Sequence, residues 1–355
     1  MYERILVTGG AGFVGATLAV AFKTASPQAD VVAFDNLHRR GSELNLTRLR
    51  DAGVRFVHGD IRSTEDLAPL TPDLILECSA EPSAQAGYGG SPQYLVNTNL
   101  AGCFNCLEVA RRTNAAFVFI STSRVYPYRR LNHLRFTEDT TRYTLAPEQE
   151  IAGASARGVD ESFPLDGARS LYGATKLAAE LLVEEYGDAY GLRYVIDRCG
   201  LLTGPGQMAK SDQGVMALWV AAHYFRKDLA YIGFGGSGKQ VRDLLHVDDL
   251  FDVLCHQTNN LDQFGGRLFN IGGGPECSLS LLETTALCEE ITGNSIHFDR
   301  RPDNRPADVR IYLTDHRRYS DLTSWKPRRG ARETLVSILE WIRSGEKSLE
   351  KIFYG

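Results

Sequence analysis

The first thirty-five residues constrain the fold most. An apolar run, Ile5-Leu6-Val7-Thr8, leads into Gly9-Gly10-Ala11-Gly12-Phe13-Val14-Gly15 and then into a stretch of helical period, Phe13–Lys23. Glycines let a chain turn tightly between strand and helix and let its backbone approach a pyrophosphate. The free N–H groups at the helix start can meet the anion. A second apolar run, Val31–Asp35, ends on a carboxylate twenty residues after Gly15. That is the spacing at which an acid accepts hydrogen bonds from an adenosine ribose. A glycine pattern alone marks only a tight turn; joined to the strand, the helix and Asp35, it predicts a dinucleotide site. Asp35 would repel a 2′-phosphate, so NAD is expected over NADP. Arg39 and Arg40 could counter that repulsion, pair with the pyrophosphate or lie free on the surface. Asn36 follows Asp35, and Asp60 and Ile61 stand where an adenine edge would be met, or form an ordinary turn.

The alternation continues. Arg55–His58, Leu74–Glu77, Phe117–Ser121 and Tyr194–Asp197 are strand-like, with helical segments such as Asn99–Ala110 and Ser170–Tyr186 among them. This predicts an α/β protein, a Rossmann-type doubly wound parallel sheet with helices on both faces. Beyond about residue 200 Gly- and Pro-rich turns loosen the rhythm, so a smaller C-terminal lobe is expected. The division is drawn at 1–197, with 243–273 returning to the first domain, and 198–355. The charged stretch 128–160 lies between a strand and a helix that both carry reactive groups, and reads as a functional loop.

A chain of 355 residues, 43% hydrophobic, can bury a large core, and its net charge of −5 argues against nucleic-acid or membrane-surface partners. Any anionic ligand must be held by local positive charge. No apolar run reaches the length of a membrane span, and Met1-Tyr2-Glu3-Arg4 opens directly into a strand. Seven cysteines are scattered through apolar segments. Cys103 and Cys106 form a C-x-x-C within a helical pattern with no second pair, which reads as buried thiols in a reducing, cytosolic compartment and not as a metal site.

Tyr172-Gly-Ala-Thr-Lys176 places a phenol and an ammonium one helical turn apart. A free phenol, with a pKa near 10, is a poor base at neutral pH. A neighbouring ammonium favours the phenolate and makes it a usable one. The Phe117–Ser121 strand ends on Ser121-Thr122-Ser123, where Thr122 can hydrogen-bond the same substrate hydroxyl. These residues point to a tyrosine-assisted hydride transfer from an alcohol.

The glycine pattern, Thr122 and Tyr172-x-x-x-Lys176 together resemble the extended short-chain dehydrogenases/reductases, the nucleotide-sugar epimerases and dehydratases. Asn99, Arg198, Gly204-Pro205, Arg242-Asp243, His246-Val-Asp248-Asp249 and Asn270-Ile-Gly-Gly agree with that resemblance, which spans nearly the whole chain. It implies NAD as cofactor, with Asn99 among its contacts, and a nucleotide diphosphate sugar in the C-terminal lobe, with Arg242 and Arg305 on its diphosphate. It also implies a homodimer or homotetramer that pairs the helices around 99–112 and 170–186. His246, Asp248 and Asp249 are read as a capped helix start in preference to a metal site.

Within that family the tip after Thr122 discriminates between reactions. Sugar dehydratases place Asp-Glu there to remove water; this chain has Ser123-Arg124. Oxidation, rotation of the ketone and re-reduction remain, which is an epimerisation. Phe34–Leu37 with Arg39–Gly41, the segment 137–144, Asp212-Gln213-Gly214 and Lys239-Gln240-Val241-Arg242-Asp243 resemble the branch that acts at C2 of CDP-linked 3,6-dideoxyhexoses. Substrate contacts are accordingly expected from Ser123, Arg124, Gln213, Gln240, Arg242 and Arg305. The alternatives are a UDP-sugar 4-epimerase and a non-catalytic NAD-binding protein. One departure is Glu77-Cys-Ser-Ala-Glu81-Pro82, where many relatives carry His-Leu-Ala-Gly/Ala-Gln-Val. The two acids could tune the site for another sugar, such as that of CDP-glucose, or Glu77 could pair with an arginine.

Overall fold

The computed structural model describes residues 2–209 and 213–355. Five apolar strands, β1 (Arg4–Thr8), β2 (Asp30–Asp35), β3 (Arg55–His58), β4 (Leu74–Glu77) and β5 (Ala116–Thr122), form the heart of a seven-stranded sheet. Tyr194–Cys199 and Arg267–Ile271 extend it, in the order 267–271, 194–199, β5, β4, β1, β2, β3. The pairs β1–β2, β1–β4, β2–β3 and β4–β5 are all parallel. Every residue of β4 and β5 is buried, as expected of central strands covered on both faces. Helix α1 (Phe13–Ala25) follows β1. A core of Leu6, Phe34, Ile75, Leu107, Phe117, Phe119 and Val183 packs helices Cys103–Thr113 and Leu171–Tyr190 onto the sheet.

Two compact units result: 1–122 with 171–198 and 250–268, and 123–170 with 199–249 and 269–355. The sequence boundaries differ from these in two places. Residues 123–170, assigned to the first domain because they precede the Tyr172 helix, belong to the second unit. The returning segment is 250–268, shorter than the expected 243–273. Strand Val241–His246 sits in a separate four-stranded sheet with Leu201–Thr203, Ser278–Ser280 and Ile311–Tyr312. Within 128–160 the chain forms a short helix, Tyr128–Asn132, and two small hairpins, Phe136–Glu138 with Tyr143–Leu145 and Ala154–Ser155 with Gly158–Val159. Strands of two or three residues are too short to show an alternating pattern.

The second unit has its own core. Helices Val215–Phe225, Leu281–Thr292 and Ala331–Ser344 bury Met216, Val220, Cys288, Leu335, Ile338 and Ile342 together. Strands Leu229–Ile232 and Phe298–Arg301 pair in parallel, with Tyr231 stacked on Phe298 at 4.6 Å between centroids. None of the described helices is long and apolar enough to cross a membrane.

Candidate active site

The glycine loop is shaped by contacts that no side chain would allow. Gly9 has φ +60°, and a Cβ on Gly15 would lie 2.1 Å from the Gly9 carbonyl oxygen. Gly12 begins α1, and no side chain caps the helix or places an acid in its first turn. The N–H groups near Phe13 and Val14 are thus open to an anion. Asp35, at the end of β2, braces the loop by accepting the Ala11 N–H at 3.1 Å and the Leu37 N–H at 2.7 Å. Burial raises its pKa, and those N–H groups pull it back. Asn45, not anticipated from sequence, donates to the Ala11 carbonyl at 2.8 Å from the other side. A tight glycine cradle, an open helix start and a carboxylate at the end of β2 fit a dinucleotide.

Asn36 donates to Asp60 at 2.8 Å, and Arg62 pairs with the same carboxylate at 2.6 Å, which holds its pKa well below the usual range. Arg62 also lies 4.9 Å from the centre of the Tyr94 ring. The carboxylate of Asp60 therefore has a structural task as well as its expected place near adenine. Ile61 is buried, packed beneath Gly102.

On helix Leu171–Tyr190, Tyr172 is half-buried and Lys176 is 2% exposed. Thr122 ends β5, beside the end of β4 in the sheet. Asn99 sits in a π-helical turn, Asn97–Gly102, a distortion that recurs at functional sites. Its amide is engaged on three sides: it accepts the Glu81 N–H at 2.8 Å and donates to the Glu81 carbonyl at 3.1 Å and to Thr175 Oγ1 at 3.3 Å. Asn99 thus ties the 81 loop to the residue preceding Lys176.

Sequence reasoning missed Glu180. It is buried one turn beyond Lys176, accepts the Ser121 hydroxyl and takes a forked ion pair from Arg198 at 2.6 and 3.1 Å. This triad ties the Tyr172 helix to the residue before Thr122. The signal was present as a third polar residue at four-residue spacing, Tyr172-x-x-x-Lys176-x-x-x-Glu180. Glu77 faces Lys176 Nζ at 3.8 Å and not an arginine.

In the second unit, Arg124 donates to the Ala307 carbonyl at 3.2 Å, and Arg242 donates to the Val309 carbonyl and lies 3.5 Å from Asp308. The two arginines therefore converge on the loop that also carries Arg305. Burial, reinforced by the positive charge of Arg124, pushes the Arg242 pKa down to about 10. Two guanidinium groups converging on this loop can meet an anion. Gln240 donates to the Ile232 carbonyl at 3.0 Å. Ser123 begins the short turn after β5. Gln213 precedes helix Val215–Phe225, and Asp212 lies outside the described residues. His246 accepts the Asp248 N–H at 3.1 Å, and Asp249 takes the Arg328 and Arg329 N–H groups and pairs with Arg329 at 2.6 Å. The first is a bond of a helix start; those of Asp249 are tertiary bonds to the 328–329 segment.

The model of the "NAD dependent epimerase/dehydratase family" matches residues 5–272. The chain belongs to this family. As in the family, NAD is its cofactor. The chain is 32% identical to a CDP-paratose 2-epimerase from Salmonella typhi, covering 96% of this chain and 99% of that one. It is 28% identical to a dTDP-glucose 4,6-dehydratase from Mycobacterium tuberculosis, over 97% and 94%. Among solved structures, a UDP-glucuronic acid 4-epimerase from Bacillus cereus, in complex with UDP-glucuronic acid and NAD, matches with TM-score 0.77 at 23% identity. It covers 96% of this chain and 99% of that one. By family the chain is an NAD-dependent epimerase/dehydratase.

Proposed function

We propose that the chain inverts C2 of a CDP-linked sugar, of the CDP-paratose/CDP-tyvelose type, through a transient ketone. The reading is carried by an intact Tyr172–Lys176 pair on a helix tied to a β5 tip where Ser123 and Arg124, not carboxylic acids, follow Thr122. The choice of CDP and of C2 rests on the end-to-end similarity to the Salmonella typhi enzyme. Bound NAD supplies a reversible hydride acceptor. Tyr172 takes the hydroxyl proton, Lys176 favours its phenolate form, and Thr122 orients the hydroxyl. With no acid or base after Thr122 to expel water, the ketone turns over, and Tyr172 returns the proton as the alcohol re-forms on the other face. Arg124, Arg242 and Arg305 receive the diphosphate, while Ser123, Gln213 and Gln240 line the remainder of the sugar nucleotide site. The compartment is the reducing cytosol. The working form is a homodimer or homotetramer, in keeping with exposed Phe104, Leu181 and Tyr190 on the helices expected to pair.

Purified protein incubated with a small set of CDP- and UDP-sugars tests this, with products read by NMR. Inversion at C2 of a CDP-sugar, without deuterium uptake at C2 in D₂O, is expected because hydride returns to the carbon it left. C4 inversion of a UDP-sugar would overturn the assignment. Deuterium at C2 would replace hydride transfer with proton abstraction.

A further inference from the structure

Glu77 is a carboxylic acid without access to water. It ends β4, in register with Phe119 of β5 and Thr8 of β1, and its side chain is 1% exposed. Oε1 accepts the Ser79 N–H at 3.1 Å, while Oε2 is buried without a hydrogen bond. Lys176 Nζ stands 3.8 Å from that oxygen, on a side chain 3% exposed, and the same ammonium lies 3.8 Å from the centre of the Phe119 ring. Among the described residues, Lys176 is the charged group that acts on Glu77. From β1 comes the Thr8 hydroxyl and from β5 the Phe119 ring. Helix Cys103–Thr113 brings the Cys103 and Cys106 thiols, whose pKa values burial pushes well up, as it does for Cys78 next along the chain. Either charge alone in such surroundings carries a heavy desolvation cost, which the pair offsets.

We propose that Glu77 is the counter-ion of Lys176, a positioning residue whose charge sets the pH range in which the Tyr172–Lys176 pair works. This rests on the reading of Tyr172 as the proton acceptor in hydride transfer. An anion beside Lys176 weakens the pull of the ammonium on the phenol one turn away, which moves the acid limb of the working range in the alkaline direction. Burial raises the pKa of Glu77 and the ammonium draws it back, so the Glu77 charge depends on Lys176.

Glu77→Gln removes the charge, keeps the shape and still offers an oxygen to the Ser79 N–H. The acid limb of the kcat/KM pH profile is expected to move acidward by about one pH unit. An ultraviolet titration of the Tyr172 phenolate, isolated by subtracting Tyr172→Phe in each background, should move the same way. Glu77→Asp returns the charge at a greater distance and should bring the limb part of the way back. Lower turnover with the limb and the phenolate titration unmoved overturns the proposal, since a residue that only fills space would behave so. If Glu77→Gln does not fold, Glu77→Asp is read alone: a smaller acidward shift supports the proposal and an unmoved limb overturns it. Full turnover in Tyr172→Phe overturns the reading of Tyr172 as proton acceptor instead, which separates the two failures.

Discussion

At the scale of single residues, the proposal asks most of Tyr172. Its replacement by Phe removes one oxygen from a half-buried side chain on a helix anchored elsewhere by the Ser121–Glu180–Arg198 triad. The fold and NAD binding should survive, and kcat should fall by about 10²- to 10⁴-fold, as for loss of a general base. NAD content by absorbance and single-turnover ketone formation check this; a loss of NAD together with activity would assign Tyr172 to binding. Tyr172 and Lys176 were legible in the sequence because one helical turn fixes their relation without knowledge of the fold. Glu77 was not legible in the same way. It lies 99 positions before Lys176 in the chain, and its partner is decided by which helix packs over the end of β4. Sequence could mark it as out of place, while only the packing shows it facing an ammonium.

Single elements explain where local reading succeeded and where it stopped. The β1–glycine–α1 unit was legible because every constraint in it is local: a strand, a turn that admits no Cβ, a helix and then Asp35. Gly15→Ala tests the unit directly. The added methyl would sit 2.1 Å from the Gly9 carbonyl, a backbone atom that cannot yield without moving the cradle. Overpacking of this kind costs about 1–3 kcal/mol, so NAD affinity is expected to fall about tenfold or more, measured by titration of NAD-stripped protein. Unchanged affinity would mean that the loop is not the pyrophosphate cradle. The segment 128–160 gave no such local signal. Its short hairpins are fixed by tertiary partners, among them the Lys239 carbonyl, which accepts the Tyr143 N–H at 3.1 Å, and the Leu313 carbonyl, which accepts the Val159 N–H at 2.9 Å. Those partners lie far along the chain, so the segment reads as a loop until the fold is known.

The molecule as a whole carries a dependence on pH that neither motif nor element shows. Asp197 is fully buried on strand Tyr194–Cys199, and its Oδ1 accepts Gln257 Nε2 at 2.8 Å. Burial pushes its pKa up to about 7, and Asp243 is raised to about 6 for the same reason. An unfolded aspartate titrates near 3.9. Between that value and about 7 the folded chain binds more protons than the unfolded one, so stability is full below pH ~4 for these groups. It declines as pH rises from about 4 through 6 to 7 and stays low above. This is the reverse of acid denaturation by salt-bridged carboxylates. Asp197→Asn keeps an oxygen for Gln257 and removes the charge that must be buried above neutrality. For a shift of about three units the penalty is at most about 4 kcal/mol. The variant should therefore melt higher than the parent at pH 8 and nearly level with it at pH 4. Thermal unfolding across that interval decides the matter. An equal gain at both pH values would mean that the substitution improves packing, and that Asp197 is ionised in the folded chain throughout.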